Sequence, residues 1–169
     1  LRLSGFAAGV RCSGFGNGVM LRDTMPTVAD VMTRDLVKVE AGATLTAAAQ
    51  QMNARRVGAA LVFDEGKLAG ILTERDVLRA VAEGRIEGST VVEWMTRHPE
   101  TVEPTDSTST AATLMIHGGF RHLPVVDGGS VVGIVSIRDL MKVVLDDEAP
   151  RGGIDWSAND GSAMGTYIE

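Results

Sequence analysis

The chain has 169 residues, a formal net charge of −6 and 44% hydrophobic residues, which is enough for one compact domain with a core. The acidic balance argues against a nucleic-acid-binding protein, because such a protein needs a basic face. No uncharged apolar run approaches the roughly 18–20 residues that span a bilayer, which argues against a membrane protein. The single cysteine, Cys12, excludes an internal disulfide, and we expect a cytoplasmic protein in a reducing compartment.

The two ends of the chain differ from its middle. Residues 1–24 contain five glycines and follow neither the period of a strand nor that of a helix, so we expect a disordered N-terminal tail. Residues 147–169 begin within an acidic run that is typical of a solvated helix exit. We expect them to form a flexible C-terminal tail, and we assign no function to either end.

The middle of the chain contains an internal repeat. Sliding the sequence by 63 positions aligns residues 28–78 with 91–141 without a gap, and 16 of the 51 aligned pairs are identical. An ungapped self-match of this quality indicates two copies of one supersecondary unit. We place repeat 1 at residues 25–83, a short polar linker at 84–89 and repeat 2 at 90–146.

Each repeat predicts the same series of elements. A capping box, Thr27 with Asp30 and Thr90 with Glu93, opens one helical turn. Short apolar runs bounded by turn residues then predict strands, and apolar residues at i, i+3, i+4 and i+7 predict helices. In repeat 1 these patterns predict strand Leu36–Val39, helix Thr44–Arg56, strand Ala59–Phe63, a strand ending at Thr73 and helix Glu74–Glu83. In repeat 2 they predict strand Glu100–Val102, helix Ser107–His117, strand His122–Val126, a strand ending at Ser136 and a helix from Ile137 to about Leu145. The predicted fold class is α/β (α+β), with tandem β-α-β-β-α units.

A seven-residue signature occurs once in each repeat, at residues 70–76 and 133–139. It consists of Gly, two aliphatic residues, a hydroxyl residue, any residue, Arg and Asp. The aliphatic part predicts a buried strand, and the hydroxyl three residues before the carboxylate predicts the start of a helix. Either helix capping or a ligand site accounts for a hydroxyl and an acid at this junction.

The duplicated signature, the Val-x-x-Val-Met-Thr lead-in at residues 28–33 and the Leu-Pro-Val-Val-Asp strand at 123–127 resemble the CBS domain, named after cystathionine β-synthase. The resemblance covers residues 26–146. It implies that the two repeats pack about a pseudo-twofold axis with two clefts between them, and that two chains form a homodimer. It also implies a regulatory module whose clefts bind an adenosine compound, namely AMP, ADP, ATP or S-adenosylmethionine, with no required cofactor.

The resemblance implies roles for individual residues. Asp76 and Asp139 match the acid that accepts hydrogen bonds from both ribose hydroxyls. Thr73 and Ser136, at helix N-termini where anions are favoured, match the hydroxyl that contacts ribose or phosphate. Arg121, whose counterpart in repeat 1 is Gly58, matches a position for phosphate, so we expect the repeat 2 signature to form the better site. Further candidates are Arg75 and Arg138 beside the acids, and, as walls for adenine, Val37–Val39, Ala59, Ala60, Thr101, Val102, Leu123 and Pro124.

The sequence contains none of the motifs that would indicate catalysis. There is no Gly-x-x-x-x-Gly-Lys phosphate loop, nucleophile elbow or carboxylate pair beside a histidine. His98, His117 and His122 lack the spacing of a helical metal-binding pair. The prediction is therefore a non-enzymatic nucleotide sensor that acts within its dimer or on an unknown protein partner. The alternative is a constitutive dimerisation or protein-interaction module that binds no ligand.

Overall fold

The computed structural model describes residues 26–148. The expected N-terminal tail at 1–24 lies outside that range, as does the expected C-terminal tail at 147–169 apart from residues 147 and 148, which belong to the last helix. The predicted α/β class is confirmed. The helices are α1 (Val28–Val31), α2 (Leu45–Arg55), α3 (Glu74–Ala82), α4 (Val91–Trp94), α5 (Thr108–Gly118) and α6 (Ile137–Glu148). The strands are β1 (Lys38–Glu40), β2 (Ala59–Asp64), β3 (Lys67–Thr73), β4 (Thr96–Arg97), β5 (His122–Asp127) and β6 (Ser130–Ser136).

The strands form two sheets, one centred on each repeat. In repeat 1, β1 pairs parallel to β2, which pairs antiparallel to β3, and β4 extends this sheet to four strands. In repeat 2, β5 and β6 form an antiparallel pair. Each hairpin has a two-residue turn with both central residues at positive φ, namely Glu65 and Gly66 in one and Gly128 and Gly129 in the other. This is the type I′ geometry that matches the twist of the flanking strands.

The strand predicted at Glu100–Val102 is reduced to a single parallel bridge between Val102 and Val125. In repeat 1 the equivalent strand is supported by hydrogen bonds from Leu61 N to Val37 O and from Ala41 N to Phe63 O, both 2.9 Å. The counterparts of those two donors, 63 residues later, are Pro124 and Pro104. Proline has no backbone N–H, so repeat 2 cannot form either bond.

The lead-in segment of each repeat, at residues 28–33 in repeat 1 and 91–96 in repeat 2, pairs with the strand that carries the signature of the other repeat, β6 and β3 respectively. Thr33 exchanges two backbone hydrogen bonds with Ile134, at 2.8 and 3.0 Å, and Thr96 pairs with Ile71. Adding 63 to the repeat 1 residue and subtracting 63 from the repeat 2 residue converts one pair into the other. The same operation relates the bridge of Thr27 with Ser107 to the bridge of Thr44 with Thr90. The register therefore shows the pseudo-twofold relationship of the two repeats. The sequence pattern does not predict β4.

The signature glycines allow this crossing. A Cβ atom on Gly70 would lie 2.6 Å from Met95 Sδ and 2.7 Å from Thr96 O, and one on Gly133 would lie 2.5 Å from Met32 Sδ. Real Cβ atoms do not approach other atoms so closely. A side chain at Gly70 would therefore push the lead-in backbone away from the strand, and one at Gly133 would displace the Met32 side chain.

Each lead-in helix also completes the core of the other repeat. Val28 of α1 is fully buried in the core of repeat 2, where its N–H donates to Asp106 O at 2.8 Å. Val91 of α4 is fully buried in the core of repeat 1, where its N–H donates to Ala43 O at 2.9 Å. A third apolar cluster, formed by Ala59, Leu61 and Ile71 with partly buried residues that include Ile134, joins the two sheets.

Candidate functional site

The hydroxyl and the acid of the first signature form a helix cap. At the start of α3, Asp76 Oδ2 accepts hydrogen bonds from Thr73 N at 2.9 Å and from Thr73 Oγ1 at 2.6 Å. Among the residues that the structure describes, Asp76 Oδ1 makes only a salt bridge to Arg79 Nη1, at 3.8 Å. The predicted capping role is thus filled by one carboxylate oxygen, and the other retains acceptor capacity.

The second signature repeats this geometry at the start of α6. Asp139 Oδ2 accepts hydrogen bonds from Ser136 N at 3.0 Å and from Ser136 Oγ at 2.6 Å, while Oδ1 accepts one from Lys142 Nζ at 3.3 Å. Burial acts to raise the pKa of Asp139, but the bonds from Ser136 and the charge of Lys142 outweigh it. The pKa of this carboxyl is therefore lowered from its ordinary value, and the group is ionised at neutral pH.

Each of these carboxylates lines a cleft between the two repeats. Cleft A, of about 420 Å³, combines the first signature with residues of repeat 2. Cleft B, of about 340 Å³, combines the second signature with residues of repeat 1. The lining of cleft A includes Ile71, Thr73, Arg75, Asp76, Arg79, Thr96, His98, Pro99, Glu100, Phe120, Arg121 and His122. The lining of cleft B includes Thr33, Asp35, Leu36, Val37, Arg56, Val57, Gly58, Ala59, Leu61, Glu74, Arg121, His122, Ile134, Ser136, Ile137, Arg138, Asp139 and Lys142.

The pseudo-twofold axis relates the two clefts, but the residues at their shared boundary differ between the two repeats. Arg121 and His122 line both clefts, whereas their counterparts Gly58 and Ala59 line cleft B and not cleft A. A Cβ atom built on Gly58 would lie 3.4 Å from the imidazole of His122, so the small residue of one repeat faces the large residue of the other. Burial, and next the charge of Arg121, lower the pKa of His122, so it is neutral at pH 7.

Most of the described range matches one family of domains. The model of the CBS domain matches residues 28–83 and again 91–146, which together make up more than half of the chain. The chain belongs to the CBS domain family. The two tandem copies, with the crossed lead-in segments described above, are called the CBS pair below.

Solved CBS structures share this architecture. A CBS-domain protein from Burkholderia ambifaria MC40-6 is 37% identical, with a TM-score of 0.70 over 73% of this chain and 96% of that one. The CBS pair of MJ0100, solved with 5′-methylthioadenosine and S-adenosyl-L-methionine, is 26% identical, with a TM-score of 0.69 over 74% and 100%. CBSX2, solved with AMP, is 27% identical, with a TM-score of 0.64 over 72% and 97%; its source is Arabidopsis thaliana.

The structure brings most of the predicted polar residues of the CBS pair into the clefts. Thr73, Asp76 and Arg75 line cleft A, and their counterparts in repeat 2 line cleft B. The prediction from the sequence is that Arg121 belongs with the signature of its own repeat. In the structure the side chain lines both clefts, and each signature faces residues of the opposite repeat.

Of the predicted wall residues, Ala59 and Val37 line cleft B. Val39, Ala60, Val102, Leu123 and Pro124 do not line either cleft; all five are buried. Alternation along the strands explains most of these placements, because successive side chains point to opposite faces of a sheet. Ala60 and Val39 face the helices of repeat 1, and Leu123 and Val102 face those of repeat 2. Thr101 also lies outside both linings.

Several apolar lining residues were not among the candidates. They are Leu36, Val57, Leu61, Ile134 and Ile137 in cleft B and Ile71, Pro99 and Phe120 in cleft A. The alternation of β2 and β3 would have identified Leu61 and Ile71, which stand on the same face as Ala59. The segments around Leu36 and Pro99 enter the clefts through the crossing of the lead-ins, for which the local sequence holds no signal.

Residues 26–148 contain neither a metal-binding cluster nor a helix suited to cross a membrane. No group of three or more His, Cys, Asp or Glu side chains in this range is arranged to hold a metal ion. None of the helices described is both long enough and apolar enough to cross a membrane.

Proposed function

We propose that this CBS pair is a non-catalytic regulatory module that binds an adenosine compound between its repeats. The observation that carries the proposal is the double role of Asp76 and Asp139. Each carboxylate is held rigidly by a cap through Oδ2, and each lines a cleft of a size suited to a small molecule.

The geometry suits a nucleoside. A ribose presents two adjacent hydroxyl donors, and a carboxylate whose orientation is fixed accepts charge-assisted hydrogen bonds from them at little entropic cost. Apolar side chains beside the acid offer a surface for a purine ring: Val37, Val57 and Ile134 in cleft B, and Ile71 and Phe120 in cleft A. Adenosine compounds bound to MJ0100 and to CBSX2 support the same ligand class.

The proposed module is a homodimer. Leu78 of α3 is 66% exposed and Met141 of α6 is 49% exposed. These residues are 63 positions apart, so the pseudo-twofold axis relates them. Val81 and Leu145 are also exposed on the same helices. Paired apolar faces of this kind are suited to a second copy of the chain, because a dimer about a twofold axis buries the same surface of both chains.

These exposed apolar faces also favour the second candidate, a constitutive interaction module with no ligand. The two functions differ in one measurable property. A sensor is stabilised by its ligand, whereas a constitutive module is indifferent to nucleotides.

A thermal-unfolding panel with adenosine, AMP, ADP, ATP and S-adenosylmethionine tests the proposal. At 100 times the dissociation constant, binding stabilises the folded state by about 2.7 kcal/mol, which corresponds to a rise in Tm of roughly 5–15 °C. We expect Asp76→Asn or Asp139→Asn to abolish the rise in Tm for the cleft concerned. An unchanged Tm with every compound would reject the sensor function in favour of the constitutive module.

Glu93→Gln is the matched control. Glu93 Oε1 accepts hydrogen bonds from Thr90 N at 3.0 Å and from Thr90 Oγ1 at 2.8 Å, which is the same cap, but at the start of α4 and outside both clefts. The variant should lower the Tm of the free protein and leave the ligand-induced rise intact. It thereby separates the loss of a cap from the loss of a ligand contact.

A further inference from the structure

A single guanidinium lies at the boundary of the two clefts. The carbonyl of Arg121 accepts a hydrogen bond from Ile137 N at 2.9 Å, which anchors its backbone at the start of α6. Its side chain is exposed and lines both clefts. Within residues 26–148 it makes no hydrogen bond or salt bridge, so no partner commits it to one cleft.

The other charges that line each cleft balance when histidines are counted as neutral. In cleft A, two arginines oppose two carboxylates: Arg75, Arg79, Asp76 and Glu100. In cleft B, three cations oppose three carboxylates: Arg56, Arg138, Lys142, Asp35, Glu74 and Asp139. Arg121 therefore supplies the excess positive charge of both clefts. Its counterpart Gly58 supplies none.

A phosphate group that binds in either cleft needs the positive charge of Arg121. Hydrogen bonds to ionised partners are about twice as strong as neutral ones, and a phosphate that enters a cleft with a balanced lining loses solvation without a matching cation. Whichever cleft engages Arg121 is electrostatically suited to phosphate. The other cleft is then suited only to the uncharged part of the ligand.

We propose that the two clefts share Arg121, so that each chain binds one phosphate-bearing adenosine compound tightly and a second at least about tenfold more weakly. This inference rests on the proposed function. A phosphate-free adenosine compound does not need the guanidinium, so the second cleft remains open to it. The pair thus accommodates one phosphorylated and one unphosphorylated ligand in preference to two phosphorylated ones.

Isothermal titration of the full chain with AMP and, separately, with adenosine tests the proposal. For the wild type we expect one tight AMP per chain. Gly58→Arg places a second guanidinium at the pseudo-equivalent position, and there a Cβ would lie 3.4 Å from Glu74 Oε2. This variant should bind two AMP with dissociation constants within about threefold of each other. Gly58→Gln, with similar reach and no charge, should leave the second AMP weak.

Arg121→Gln provides a test that does not depend on the folding of the Gly58 variants. It should weaken AMP binding by about tenfold or more and change adenosine binding by less than about threefold. Two results would overturn the sharing of Arg121 and leave the proposed function standing. One is a pair of equal and independent AMP sites in the wild type, and the other is an unaltered AMP affinity in Arg121→Gln. Absence of binding by both AMP and adenosine would overturn both.

Discussion

Thr33 and Ile134 exchange a pair of backbone hydrogen bonds, at 2.8 and 3.0 Å, across the boundary between the two repeats. Thr96 and Ile71 form the equivalent pair on the other side of the pseudo-twofold axis. Through these pairs, the lead-in of each repeat becomes part of the other repeat's sheet and core. The same crossing carries the segments around Leu36 and Pro99 into the clefts. The crossing that stabilises the pair therefore also builds the candidate sites.

A first prediction follows for the cooperativity of folding. Val91→Ala removes two fully buried methyl groups from the core of repeat 1, although Val91 belongs to repeat 2 by sequence. We expect the free energy of unfolding to fall by about 2–3 kcal/mol, and Val28→Ala to have a similar effect. Urea unfolding should show a single transition in each variant. Ile116→Ala, at a position that is 71% exposed, is the control and should change stability by less than about 0.5 kcal/mol. Two separate transitions would contradict the shared cores.

A second prediction concerns the two signature glycines, which differ in what surrounds them. A Cβ on Gly70 meets the backbone oxygen of Thr96 at 2.7 Å, whereas one on Gly133 meets only the flexible side chain of Met32. A methionine can change rotamer, but a paired backbone carbonyl cannot move without breaking the crossing. We expect Gly70→Ala to lower the free energy of unfolding by about 1–3 kcal/mol and Gly133→Ala to lower it by clearly less. Equal losses in chemical denaturation would show that the backbone contact is not decisive.

Much of the local structure was predictable because its determinants are local. The capping pairs Thr73 with Asp76 and Ser136 with Asp139 are three residues apart, and both caps form as predicted. The type I′ turns follow from adjacent residues such as Gly128 and Gly129, which tolerate positive φ. The α/β class and the tandem duplication followed from the self-match of the sequence.

The composition of the clefts was less predictable, because it depends on contacts between distant residues. Ala59 and Ala60 are chemically alike in the sequence, and only the pleat of β2 places one on the cleft side and the other in the core. Each signature acid faces the opposite repeat because of the crossing, which has no local signal. The position of Arg121 between two clefts, rather than in one, follows from the same long-range pairing.

A third prediction tests the proposed homodimer. Leu78→Glu places a charge on the exposed apolar face of α3, and Met141→Glu does the same on α6. Because burial of an unpaired carboxylate at an interface is costly, we expect each variant to shift the protein from dimer to monomer in sedimentation velocity. Ile116→Glu, on α5 and also exposed, is the control and should remain dimeric. A wild type that is monomeric at all accessible concentrations would contradict the proposed dimer.

The fourth prediction is the pH dependence of the cap at α6. The folded-state pKa of Asp139 is below its ordinary value of 3.8, so its contribution to stability is present above that value and is lost as the pH falls through the lower, folded-state pKa. Asp139→Asn keeps the shape of the side chain and removes the charge. We expect it to cost about 1 kcal/mol at pH 7 and progressively less as both proteins are taken into the acid range below pH 3.8. Urea denaturation of the two proteins at pH 7 and at successively lower pH measures the difference. A gap that stays constant with pH would mean that the hydrogen bonds from Ser136 do not depend on the charge of Asp139, and that the lowered pKa has no consequence for folding.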